Sequence, residues 1–251
     1  MVFAVDILAR TALLPVLIWQ AIGCYRKARI LPAPPGPRSG VAGQGPDLRV
    51  LIVGDSSALG VGTRHQSEGL SGQLAKRLAS DYRVHWDTIG WIGADTGDTL
   101  KRLGQIEDGN YDVVVTCLGV NDVTHRIPLR RWMRQTDSLI KTLDAKFAPR
   151  KIIVSLIPPL HHFPLLPNPL RWVLGRQALR FNRAMRLMAR QWPQVSLIGN
   201  GIALVPEVMS IDGFHLGPPV YAEWANQAVL ALHDKPTSAV PLGIDPQEAS
   251  A

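Results

Sequence analysis

Ser56 lies in the stretch Gly54-Asp55-Ser56-Ser57, where an apolar run gives way to a turn that presents a hydroxyl. Three other polar groups sit in similar glycine-bounded settings: Asn121 in Gly119-Val120-Asn121-Asp122, and Asp212 and His215 in Asp212-Gly213-Phe214-His215. A serine hydroxyl becomes a useful nucleophile when a base within hydrogen-bond reach takes its proton. An aspartate three residues before a histidine can hold the imidazole's tautomer while the other ring nitrogen reaches outward. A carboxamide can donate to a developing oxyanion as a backbone N–H does. Each signal alone is weak, because Gly, Asp, Asn and Ser are also the ordinary turn formers. A phosphate-cradling loop competes for Gly60-Val61-Gly62-Thr63-Arg64-His65, but this run lacks the third glycine of a dinucleotide fingerprint, and no Gly-Lys-Ser/Thr follows.

The elements that must position these groups are legible as short apolar runs at Arg49–Val53, Arg83–Ile89, Asp112–Leu118, Lys151–Ile157 and Val195–Ile198, each the length of a buried strand. Helical stretches alternate with them at Gly69–Ala79, Thr96–Leu103, Leu129–Phe147, Leu170–Gln191 and Pro218–Leu232. In the fourth, Leu174, Ala178, Phe181, Met185, Met188 and Trp192 form one apolar stripe, with Arg176, Arg180, Arg183, Arg186 and Arg190 as a basic row on the other side. This alternation predicts a three-layer α/β/α sandwich around a five-stranded parallel sheet, with an additional N-terminal apolar helix. Ligands of such sheets gather beyond the carboxyl ends of the strands. Ser56, the glycines of Gly90-Trp91-Ile92-Gly93 and Asn121 follow the first three strands, and the Asp212–His215 loop precedes the last helix.

Length and composition divide the chain into four parts. Residues 1–30 are largely apolar; Thr11 to Tyr25 carry no charge, Asp6 and Arg10 interrupt the first half, and Arg26, Lys27 and Arg29 follow. The uncharged run is short for a spanning helix. The segment reads as a membrane anchor or interfacial helix with the basic cluster on the cytoplasmic side; a cleaved signal for secretion or the periplasm, or a helix packed on the domain and kinked at Pro15, are the alternatives. Residues 31–47, rich in proline and glycine, read as a linker, 48–233 as the folded domain and 234–251 as a patternless tail. The net charge of +7 favours an anionic partner, whether a membrane surface of lipid headgroups, nucleic acid or phosphorylated small molecules, and charge alone does not choose among them. Cys24 and Cys117 read as packing residues, no metal-ligand spacing is present, and no nucleic-acid module is recognisable.

With the motifs in order at Ser56, Gly93, Asn121 and Asp212–His215, the chain from about Val50 to Leu232 resembles the SGNH hydrolases, also called GDSL esterases and lipases. The resemblance implies a flavodoxin-like fold and a cofactor-independent serine esterase or lipase. Ser56 would be the nucleophile, His215 the general base and Asp212 its orienting group. The Ser56 and Gly93 N–H groups and the Asn121 side chain would form the oxyanion hole. Gly93 fits the family's Gly-x-x-Thr pattern better than Gly90, and Ser57 replaces the usual leucine. The expected substrate is a small acyl ester, lipid-like over acetylated polysaccharide; a thioesterase, a carbohydrate acetylesterase or a non-catalytic acyl-binding relative are the alternatives. Phe163, Leu165, Leu166, Leu170 and Trp172, in the proline-rich segment after the fourth strand, are candidates for an acyl pocket or a bilayer contact. His161 and His162 in the same segment could modulate the site or lie at the surface.

Overall fold

A computed structural model describes residues 13–27, 31–199 and 201–234; residues 1–12, 28–30 and the 235–251 tail, with Asp6 and Arg10, lie outside the described residues. The order is α1 (Leu14–Lys27), β1 (Ser39–Ala42), β2 (Asp47–Gly54), α2 (Leu70–Leu78), β3 (Arg83–Gly90), α3 (Thr96–Leu103) and β4 (Val113–Cys117). Then come α4 (Val120–Thr124), α5 (Leu129–Phe147), β5 (Lys151–Ser155), α6 (Leu170–Ala189), β6 (Val195–Ile198) and α7 (Pro218–His233).

The sheet has six strands in the order β1-β3-β2-β4-β5-β6. Five run parallel, as predicted; β1 is added antiparallel at the edge, with Ser39 opposite Asp87 and Ala42 opposite Val84. This corrects the reading of 31–47 as a linker. Backbone pairing holds a four-residue strand whose one large apolar side chain, Val41, is 58% exposed, so no hydrophobic pattern announced it. Residues 31–38 are also tied to the domain: Gln66 Nε2 donates to the Pro34 carbonyl (3.2 Å), and Gln66 N–H to that of Pro35 (2.9 Å).

Helices α2 and α7 pack together on one face, and α3, α5 and α6 adjoin one another on the other. β4 and β5 are buried along their whole length because both faces are covered. The α6 stripe enters the core through Ala178, Phe181, Met185 and Met188, while Phe181 meets Trp132 of α5 at 4.5 Å between ring centroids. The chain steps from β2 outward to β3 and then back across β2 to β4, which opens a crevice at the carboxyl end of β2.

α1 is the described part of the predicted N-terminal helix, and no helix among the described residues is long and apolar enough to cross a membrane. Pro15 stands in its first turn, where a missing N–H costs nothing, so it makes no kink.

Candidate active site

β2 delivers Ser56 to that crevice. Its last residue, Gly54, runs so close to β4 that a Cβ there would strike the Cys117 carbonyl. The turn beyond is fastened by Ser57 N–H to Asp55 Oδ1 (2.8 Å) and by Val61 N–H to the Ser56 carbonyl (3.0 Å). From the far end of the sequence, the loop before α7 brings in His215, with Nε2 3.2 Å from Ser56 Oγ and Nδ1 2.6 Å from Asp212 Oδ2.

Asp212 is well occupied, since its Oδ1 accepts the N–H groups of Phe214 (3.0 Å) and His215 (2.9 Å). Burial works to raise its pKa, but the hydrogen bonds from the His215 ring and these two amides outweigh burial and hold it below the ordinary carboxylate value. A carboxylate that stays charged keeps the imidazole proton on Nδ1 and leaves the Nε2 lone pair facing the serine. The loop is closed by Ser210 N–H to the His215 carbonyl (2.8 Å), and its Phe214 ring lies edge-on to both Phe163 and His215, 5.5 Å from each.

Asn121 comes from the first turn of α4. Its Nδ2 donates to Asp55 Oδ2 (3.1 Å) and to the Ala94 carbonyl (3.0 Å), so both amide hydrogens have protein acceptors. The second bond fixes the loop after β3, where Gly93 has φ +75°, a left-handed conformation that glycine adopts without strain. Among the described residues neither the Ser56 nor the Gly93 N–H finds a hydrogen-bond acceptor. Gly90 instead packs under the Ser56 turn, against Leu59 and the carbonyls of Gly54 and Asp55.

Two buried aspartates support this arrangement and were not singled out from sequence, where Asp beside Gly, Ser or Asn reads as an ordinary turn former. Asp55 links the Ser56 turn to Asn121, and burial pushes its pKa up to about 6 against the pull of the Ser57 N–H. Asp122 accepts from Thr96 N–H (3.1 Å) and Thr96 Oγ1 (2.9 Å), joining α3 to α4; burial raises it to about 6 as well.

A narrow cleft opens beside Ser56 and His215. Leu118, Val120, Leu156, Pro158, Phe163 and Phe214 provide most of its apolar wall. Of the acyl-pocket candidates, the structure brings only Phe163 to that wall. Leu166 and Leu170 turn inward with the core, Trp172 lies under the Arg176 guanidinium, and Leu165 bonds through its backbone N–H to the Gly213 carbonyl (3.0 Å). His161 sits against Gly175 of α6 and stacks on His162, away from the cleft; burial and the neighbouring His162 lower its pKa. Among the described residues no three His, Cys, Asp or Glu side chains form a metal-binding group.

A model of the GDSL-like Lipase/Acylhydrolase family matches residues 52–222. A search of curated proteins finds no match to this chain. Among solved structures, the chain is similar to TesA, with 23% identity and a TM-score of 0.57 over 74% of this chain and 98% of that one. An extracellular lipase from Streptomyces rimosus aligns at 17% identity and TM-score 0.58, covering 73% and 99% of the two chains. The acetylxylan esterase Axe2 from Geobacillus stearothermophilus aligns at 15% identity and TM-score 0.56, covering 78% and 99%. At these identities the likeness is one of fold.

Proposed function

The chain belongs to the GDSL-like lipase/acylhydrolase family and is an ester hydrolase; from that premise we propose that it cleaves carboxylic acyl esters through Ser56, His215 and Asp212 by way of an acyl-enzyme. Ser56 Oγ attacks the ester carbonyl as His215 Nε2 takes its proton, and Asp212 stabilises the imidazolium that results. Negative charge developing on the carbonyl oxygen is met by the Ser56 and Gly93 N–H groups and by one Asn121 hydrogen, drawn from its bond to the Ala94 carbonyl. His215 then gives its proton to the departing alcohol as the ester C–O bond breaks. A water molecule, deprotonated in turn by His215, releases the acid and restores the serine.

One observation carries this reading: an imidazole 3.2 Å from the serine oxygen with a charged carboxylate 2.6 Å behind it. The unpartnered N–H of the buried Ser56 supports the oxyanion assignment, since backbone donors near a buried site otherwise find acceptors, and the exposed Gly93 N–H has no competing protein bond. The apolar wall of the cleft supports an ester whose acyl group is hydrocarbon in character over an acetylated sugar. A chain-length series of p-nitrophenyl esters tests both parts. The expected result is turnover favouring acyl chains longer than acetyl and absent in Ser56→Ala. A sharp optimum at acetyl would remove the hydrocarbon-acyl reading, and turnover that survives Ser56→Ala would remove the triad.

A further inference from the structure

α1 is attached to the domain by a narrow face with a buried glutamine at its centre and turns a broad apolar face to solvent, unlike an ordinary packed helix. Leu17, Gln20 and Cys24, at helical steps of three and four, face the protein. Gln20 is buried: its Nε2 donates to the Asn168 carbonyl (2.6 Å) and its Oε1 accepts the Leu170 N–H (3.0 Å), while Cys24 Sγ reaches the Leu165 carbonyl at 3.6 Å. Outside stand Leu14, Val16, Ile18, Trp19, Ile22 and Tyr25, with Trp19 74% and Tyr25 87% exposed. A contiguous apolar face of this kind marks an interaction surface.

We propose that this face lies in the headgroup region of an anionic lipid bilayer and seats the catalytic mouth against it. Charge complementarity selects that occupant. From Ile7 to Pro46 the sequence contains no Asp or Glu, but it has Arg10, Arg26, Lys27, Arg29 and Arg38, and twelve largely apolar residues precede the described part of the chain. A helix with aromatic and aliphatic residues on one side and basic residues at its end is built for the interface. The Gln20 clasp favours a helix lying in the plane, because a spanning α1 would surrender two buried hydrogen bonds and carry the amide into hydrocarbon. The same contacts aim the surface. Cys24 touches Leu165, whose N–H bonds Gly213 in the loop that holds Asp212 and His215, and Ile211 of that loop is 79% exposed.

Co-sedimentation of the full chain with vesicles tests this independently of ester hydrolysis. The wild type is expected to bind vesicles of equimolar phosphatidylcholine and phosphatidylglycerol, to bind pure phosphatidylcholine more weakly, and to be released by raised salt. The double variant W19S/Y25S, altered only at exposed side chains, should bind roughly tenfold less or worse while hydrolysing a soluble short-chain ester at the wild-type rate. Wild type left in the supernatant, binding unchanged in W19S/Y25S, or equal binding to neutral vesicles would overturn the proposal. So would a wild-type dimer that W19S/Y25S dissociates, since that would show a second copy covering the face.

Discussion

Asn121 and Asp55 carry the sharpest consequences at the level of single residues. If one amide hydrogen of Asn121 passes to the oxyanion only as charge develops, Asn121→Ala should lower kcat by about 10²–10³ and leave KM within a few fold, as steady-state kinetics on a soluble ester would show. Asp55 acts on the reaction through that amide. When it is protonated, its O–H confronts the Asn121 Nδ2 that it otherwise accepts from, so kcat should decline as pH falls through about 6. Asp55→Asn places a donor there at every pH, and it should show a depressed kcat throughout, with the part of the inflection owed to Asp55 gone. A pH profile of kcat for the two proteins distinguishes this from general loss of structure, which would also move KM. Asp212 is shifted the other way, below its ordinary carboxylate value, and stays charged throughout this window.

Among the elements, the β2 end is where packing and chemistry meet. Gly54→Ala pushes a methyl group into the Cys117 carbonyl of β4, and we expect a loss of roughly 1–3 kcal/mol in denaturant unfolding, together with reduced activity as the Ser56 turn shifts. Five of the six strands were legible because each is a short apolar run bounded by turn residues, and the α6 stripe was legible because its spacing is helical throughout. β1 was not, since Ser39-Gly40-Val41-Ala42 is held by backbone pairing that leaves no mark in side-chain pattern. The segment from Pro158 to Trp172 was half legible. Its apolar character was plain, but which residues turn to the cleft and which to the core depends on a local turn that sequence spacing does not report. Ser56, Asp212, His215 and Asn121 could be placed because they follow strands or precede a helix in a defined order. Asp55 and Asp122 could not, because their work is done through partners distant in sequence, Asn121 and Thr96.

For the whole molecule, burial of two carboxyls sets an unusual dependence of stability on pH. Asp55 keeps its proton up to about 6 in the folded state against 3.8 as its ordinary value, so folding takes up protons between these values and its contribution to stability falls as pH rises through them. Asp122 acts in the same direction. Asp55→Asn, compared with wild type by denaturant unfolding, should therefore gain relative stability as pH rises from about 4 to about 7, the pH-dependent part reaching about 2–3 kcal/mol. A difference that stays flat across this range would mean that Asp55 is not held protonated. The claim on which the rest depends is that folding activates one particular hydroxyl. Reaction with a fluorophosphonate, read by mass spectrometry of the digested protein, addresses it directly. A single phosphonyl group on Ser56, absent in Ser56→Ala and strongly slowed in His215→Ala, is the expected result. A folded wild type that stays unmodified, or one modified at another serine, would contradict it.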